Sequence, residues 1–301
     1  MHEPADRIGR YQIERPLASG GMGSLFLATD TTLDRLVVLK FLPEELSGEP
    51  AARERLLREA KAASRLNHPN ILTIHAEESI NDRDFIVMEY VPGDSLAELT
   101  AKGPLTLPLA ISIGMQIASG LAAAHRANII HRDMQPSNVL VFPDGRVKIA
   151  DFGLAASRAE LVEKAPEEFA GTIGYSSPEQ LRGLQIDHRS DLWSLGVMLY
   201  EMITGRHPFA ERHITAVAYA ILHDDPPQPH EFRAGVSNQL ESLVLQCLRK
   251  NPSERPQLAE EICEALEGCQ ATKEAPHRAS TPNGALSSIA VVPFANLSAD
   301  P

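Results

Sequence analysis

The sequence predicts an α+β chain of two lobes, a small β-rich N-terminal lobe with one key helix and a larger, mainly α-helical C-terminal lobe. Three observations carry this reading. Short apolar and β-branched runs, split by glycine and turn residues, fill residues 10–43. A single Gly- and Pro-free run rich in Ala, Leu, Arg and Glu follows at 51–66. After Gly93 the pattern changes to long helical stretches.

In the first lobe, Tyr11–Leu17, Leu25–Asp30 and Arg35–Leu42 read as strands, punctuated by Gly20-Gly21 and Thr31–Asp34. The helix over 51–66 ends at His68-Pro69-Asn70, because the residue before a proline is pushed out of helical geometry. Ile71–Ile74 and Phe85–Tyr90 read as two further strands before Pro92-Gly93. In the second lobe, 106–127 is long and apolar on more than one side, which predicts a buried helix. Short strands are expected at Val139–Phe142 and Val147–Ile149, and helices at about 188–204, 213–223, 237–249 and 256–267. The lobes join near Glu89–Gly93. Residues 268–287 read as a flexible linker, and Ile289–Phe294 within 288–301 as the opening strand of a further domain.

The chain has 301 residues, enough for about two units at roughly 150 residues each. Its net charge of −12 argues against nucleic acid as a partner, which calls for a clustered basic face. No apolar run was expected to reach the 18 or so residues of a membrane span, and the N-terminus lacks the apolar core of a secretory signal. The expected location is therefore cytoplasmic. Cys247, Cys263 and Cys269 fall in or beside helical patterns and read as reduced thiols, not as a disulfide framework or a metal site.

Five stretches carry chemistry. Ala18-Ser19-Gly20-Gly21-Met22-Gly23 lies between two strand patterns, where missing side chains let backbone N–H groups approach phosphate oxygens. Alone, it reads equally as a glycine-rich hairpin. Val37-Val38-Leu39-Lys40 ends an apolar strand on a lysine, which calls for a buried partner, and Glu59 is the candidate. His131-Arg132-Asp133-Met134-Gln135-Pro136-Ser137-Asn138 is followed by Asp151-Phe152-Gly153, then by Gly171-Thr172-Ile173-Gly174-Tyr175-Ser176-Ser177-Pro178-Glu179. Taken singly, Asp133, Asn138 and Asp151 would be turn-formers.

In this order the stretches resemble the protein-kinase family: a Gly-rich loop, a strand lysine, H-R-D-x-x-x-x-N, D-F-G and x-P-E. The resemblance covers about 8–267, with an N-lobe over 8–91 and a C-lobe over 92–267. The wording is most similar to bacterial serine/threonine kinases of the eukaryotic-like type. It implies the bilobal protein-kinase fold, ATP and Mg²⁺ as cofactors, and a protein substrate. Lys40 would hold the α/β-phosphates and pair with Glu59, Asp133 would accept the proton of the attacking hydroxyl, and Asn138 and Asp151 would bind Mg²⁺. Leu17, Ala18, Ser19, Gly20, Gly21, Met22, Gly23, Leu25, Val38, Gln135 and Leu140 would line the nucleotide site. The backbones of Glu89 and Val91 would bond adenine, with Met88 behind it. Asp191 and the Glu179–Arg255 pair match structural positions. Thr172 and Pro136 resemble serine/threonine rather than tyrosine kinases. The stretch SIAVVPFANLSADP is similar to the start of TolB-like regions fused behind some such kinases, and a dimer for autophosphorylation is a further partner the resemblance allows.

Three departures stand out. Ala18 replaces the first glycine of the loop, which would cost roughly 1–2 kcal/mol if that position needed positive φ. Gln135 replaces the usual lysine, and losing most of a charged hydrogen bond of about 1.5–3 kcal/mol would slow transfer roughly ten- to a hundredfold. The segment between Ser157 and Thr172 has no Ser, Thr or Tyr but carries Glu160, Glu163, Glu167 and Glu168. Glu167 or Glu168 could offer fixed negative charge to Arg132, or the loop could be simply a solvated acidic one. These departures keep open an alternative, a nucleotide-binding pseudokinase that regulates a fused C-terminal domain. Apart from His131 and His68, the histidines are expected at surface or turn positions.

Overall fold

The computed structural model describes residues 7–20, 23–41, 64–80, 83–152, 173–210 and 213–271. The expected helix at 51–66 lies outside these residues up to 63; of its last residues, 64–65 form a turn and 66 is irregular, where helix was expected. The linker beyond residue 271 and the terminal strand also lie outside.

The N-terminal lobe is built on a six-stranded sheet. Its strands are β1 (Arg7–Ile8), β2 (Tyr11–Gly20), β3 (Gly23–Asp30), β4 (Arg35–Phe41), β5 (Ile74–Ile80) and β6 (Arg83–Glu89). The order is β1-β2-β3-β4-β6-β5, antiparallel throughout. Alternation along β4 separates two functions. Val37, Leu39 and Phe41 point into a core with Tyr11, Phe85 and Val87, where the Tyr11 and Phe85 rings meet edge-on at 5.8 Å. Val38 instead joins an apolar cluster with Met88, Val91 and Leu140 at the cleft between the lobes. Lys40, two residues on, shares the Val38 face. The apolar strand thus ends on a lysine because one of its faces belongs to the cleft.

The strand readings hold, with shifted ends. β2 continues past Leu17 to Gly20, because pairing with β3 resumes after irregularities at Ile13/Arg15 and Pro16/Ala18. Such irregularities are where a strand tolerates proline. Ile71 forms only an isolated parallel bridge to Ile149, and the strand proper starts at Ile74.

Beyond the hinge, β7 (Asp94–Ser95) pairs with β8 (Val139–Val141), which pairs with β9 (Val147–Ile149). The helices are α1 (Leu96–Thr100), α2 (Leu107–Arg126), α3 (Pro178–Leu181), α4 (Arg189–Thr204), α5 (Ile214–His223), α6 (Asn238–Cys247) and α7 (Ala259–Ala271). α1 and α3 escaped the sequence reading because they are so short, although each carries a capping box, Ser95 with Glu98 and Ser177 with Gln180. α7 runs four residues past the expected end. Gly268, read as the start of the linker, sits inside it against the Gln239 side chain.

By length and apolar composition α2 could cross a membrane, which corrects the expectation that no run reaches that length. Most of it is buried, as in the core helix of a folded lobe. It packs on α4 and α7. Gly114 allows the contact with α4, since a Cβ there would come within 2.6 Å of Leu199, and Gly196 does the same for α4 against α6, where a Cβ would come within 2.5 Å of Cys247. α4 is buried along almost its whole length and forms the post to which the catalytic loop is tied.

Candidate active site

The site lies between β4, the hinge after β6, and the loops on either side of the β8–β9 hairpin. Asp191, near the start of α4, organises the first of these loops. It is 1% exposed, and its carboxylate accepts from the backbone N–H groups of His131 (2.9 Å) and Arg132 (2.8 Å) and pairs with His125 Nε2 (2.8 Å). Gln180 Nε2 donates to the Arg132 carbonyl at 2.7 Å. These contacts hold Arg132 at φ +68°, a left-handed conformation unfavourable for a side-chain-bearing residue. Asp151 is likewise held at φ +60°.

His131 is fully buried and spans the two catalytic segments. Its Nε2 lies 2.9 Å from the Ala150 carbonyl, and its Nδ1 is 3.3 Å from the Asp133 N–H. A carbonyl can only accept, so Nε2 carries the proton and Nδ1 accepts. The ring also packs on Phe152, with centroids 4.6 Å apart.

Asn138 makes the second bridge. Its Nδ2 donates to the Asp133 carbonyl (2.8 Å) and to Asp133 Oδ2 (3.1 Å), and its own carbonyl accepts from the Ala150 N–H (2.8 Å). Gln135 Nε2 donates to the same Asp133 Oδ2 at 3.2 Å. From the other lobe, Lys40 Nζ reaches Asp151 Oδ1 at 2.6 Å. Lys40, Asp133, Gln135, Asn138 and Asp151 are thereby brought to one cleft. Leu25 and Val38 from the N-lobe and Leu140 from the C-lobe border it in one apolar cluster with Met88 and Val91.

The donor chemistry suits Mg²⁺ bound with a nucleotide. Among the described residues no group of three or more His, Cys, Asp or Glu could hold a metal. Asn138 keeps its amide oxygen and Asp151 a second carboxylate oxygen, two hard ligands for a cation that takes its remaining oxygens from phosphates and water.

The loop residues Ala18, Ser19 and Gly20 lie in β2, paired with Leu25, Ser24 and Gly23. Ala18 is not among the residues of positive φ, whereas Gly23 has φ +103°. The expected strain at Ala18 is therefore corrected: its place is an ordinary strand position, and Gly23 is the loop glycine whose backbone conformation excludes a side chain. Leu17 is exposed beside it. Gly21, Met22, Glu59, Gly153, Thr172 and the acidic segment with Glu160, Glu163, Glu167 and Glu168 lie outside the described residues, and so does the Lys40–Glu59 pairing.

Beneath the site, Arg255 forks onto Glu179 with bonds of 2.7 and 2.8 Å, and Ser190 adds a third at 2.7 Å. Burial would push the Glu179 carboxyl up, but Arg255 outweighs it and holds it below the usual value. The expectation for the remaining histidines fails at His125, which sits on α2 and binds Asp191, as above. The half-buried His207 lies in a turn region and bonds the Gly174 carbonyl at 3.1 Å, with its pKa lowered by burial. Glu201, which accepts from the Tyr175 hydroxyl at 2.6 Å, and Lys148 on β9 were also missed. No local spacing announces any of these, because each acts on a partner distant in sequence.

Such a cleft belongs to a two-lobed scaffold with one charged side chain presented from the N-lobe and the other polar groups from loops of the C-lobe. A family model for the protein kinase domain matches residues 11–266, and the chain belongs to that family. It is 39% identical over 278 residues to a probable serine/threonine-protein kinase of Streptomyces coelicolor, covering 89% of this chain and 41% of that one. It is 38% identical to the serine/threonine-protein kinase PrkC of Bacillus subtilis, covering 84% and 39%. The chain thus spans about two fifths of the length of these relatives. Among solved structures, the kinase domain of Mycobacterium tuberculosis PknI aligns with a TM-score of 0.69 at 25% identity, covering 89% of this chain and 99% of that one.

Proposed function

We propose that this chain transfers the γ-phosphoryl group of ATP to serine or threonine hydroxyls of a protein substrate. One observation carries the reading: Lys40 bonds Asp151, Asn138 bonds Asp133, and the N–H of Ala150, next to Asp151, bonds the Asn138 backbone carbonyl, which brings the two pairs together. Asp133 accepts the proton of the attacking hydroxyl, and its carboxylate is aimed by the amides of Asn138 and Gln135. Lys40 positions the α/β-phosphates. Asn138 and Asp151 would hold Mg²⁺, which would neutralise charge on the phosphates. Val38 and Leu140 would flank the adenine, and the Glu89 and Val91 backbones would bond its polar edge. Thr172 and Pro136 support serine or threonine as acceptor. No observation favours a pseudokinase, since the catalytic set is present and the relatives carry kinase names.

The test is direct. Purified protein incubated with labelled ATP, Mg²⁺ and a generic protein substrate should yield phosphoserine or phosphothreonine, and Asp133→Asn should yield neither. Nucleotide binding without transfer in the unsubstituted protein would overturn the reading in favour of a pseudokinase.

A further inference from the structure

Outside the catalytic set, Lys148 is a shielded and partnered charge near the cleft. It lies on β9 in the C-lobe, its side chain only 13% exposed, and its ammonium sits 2.8 Å from Glu89 Oε2 and 3.2 Å from the Ile71 carbonyl. Glu89 is the last residue of β6, at the hinge. Its N–H donates to the Thr73 carbonyl (2.9 Å), and its carboxylate accepts back from the Thr73 N–H (3.2 Å). The stretch from Asn70 to Thr73 is meanwhile laced to β9: the Ile149 N–H donates to Asn70 and the Leu72 N–H to Ile149. One cation therefore joins three pieces, the hinge, the approach to β5, and the C-lobe hairpin that carries Leu140 and leads into Asp151.

Energetics favour a tie over an incidental surface contact. Exposed ion pairs contribute little, but this one is mostly shielded, and each partner holds further backbone groups. Burial would raise the Glu89 carboxyl, yet the Lys148 ammonium and the Thr73 amide outweigh it and hold it below its usual value. The carboxylate is thus charged and held in place at neutral pH.

We infer that Lys148 is a positioning residue for nucleotide binding, acting through Glu89: it fixes the hinge backbone that meets the adenine edge against the C-lobe floor. This rests on the kinase reading, in which the Glu89 backbone bonds adenine. A tie of this kind sets the cost of assembling the adenine site and leaves the phosphoryl-transfer groups untouched. Losing it should weaken ATP binding without slowing transfer at saturation.

The experiment titrates ATP with Mg²⁺ into the unsubstituted protein and into Lys148→Met, Lys148→Arg, Glu89→Gln and the double Glu89→Gln/Lys148→Met variant, with steady-state kinetics and thermal melting beside it. Lys148→Met should weaken Kd and raise KM for ATP roughly fivefold, with kcat within about twofold. Lys148→Arg should restore most of the affinity. Glu89→Gln keeps the hinge backbone and should match Lys148→Met, and the double variant should be no worse than either single, as expected for two ends of one contact. Unchanged nucleotide affinity in both single variants would overturn the inference, as would a fall in kcat at constant KM. Should Lys148→Met fail to fold, Glu89→Gln decides alone. Absence of nucleotide binding in the unsubstituted protein would overturn the site reading itself, and the inference with it.

Discussion

Two buried ion pairs, Glu179–Arg255 and Lys40–Asp151, stand within one molecule and serve opposite ends. Arg255 is completely enclosed and Glu179 7% exposed. The guanidinium is satisfied on every side: two bonds to Glu179, others to the carbonyls of Arg249, Arg189 and Lys250, and the face of Trp193 at 5.1 Å. Lys40 is as deeply placed, at 6%, but Asp151 remains 23% exposed, and the pair meets through a single bond of 2.6 Å. An ion pair with every valence filled is frame. One that keeps an oxygen open toward a cleft is available for chemistry. Among the described residues, partner count, more than burial, separates the two.

The largest effect should come from breaking the frame. Glu179→Ala leaves an enclosed guanidinium without its counter-charge and should cost about 3–5 kcal/mol of stability in denaturant unfolding. Lys40→Met should do the reverse, with phosphoryl transfer falling about a hundredfold or more while the melting temperature hardly moves. If both variants lost stability equally, the contrast would collapse.

Acid sharpens the same comparison. The folded Glu179 carboxyl is held below its ordinary value, so its stabilisation is present at neutral pH and is lost as the pH falls through the folded value. Glu179→Gln should therefore flatten the acid limb of the stability–pH profile while lowering stability at neutral pH.

In the His131–Asn138 loop, Gln135 offers Asp133 a hydrogen bond, where the lysine of the family pattern would offer a charge as well. Gln135→Lys should raise kcat roughly tenfold. An equal or lower kcat would mean that another group already supplies the charge. The smallest effect belongs to Ala18→Gly. Because Ala18 occupies an ordinary strand position, KM for ATP should stay unchanged, and a clear fall would show that the loop leaves this conformation when it binds nucleotide.

The fold was legible where periodicity is long or motifs are ordered. β4 announced itself by a run of apolar and β-branched residues, and its lysine by the cost of burying a charge. α2 announced itself by a long stretch apolar on more than one side, with its one proline at the start. Asp133, Asn138 and Asp151 were legible only as members of an ordered set, since each alone reads as a turn residue. What escaped was long-range. Nothing local to Lys148 shows that it meets Glu89, 59 positions earlier in the numbering, and nothing local to His125 shows that it meets Asp191, whose separation is 66. Conformation at Ala18 was misjudged for a related reason, because the pairing of β2 with β3 fixes its φ, and a motif cannot report pairing.

The most direct test of the contrast is the single-turnover rate of phosphoryl transfer by Lys40→Met, measured at a temperature where its melting curve shows it folded. The predicted result is transfer reduced to near background in a protein as stable as the parent. Transfer at the parental rate would contradict the account, since Lys40 would then be one more strut of the frame.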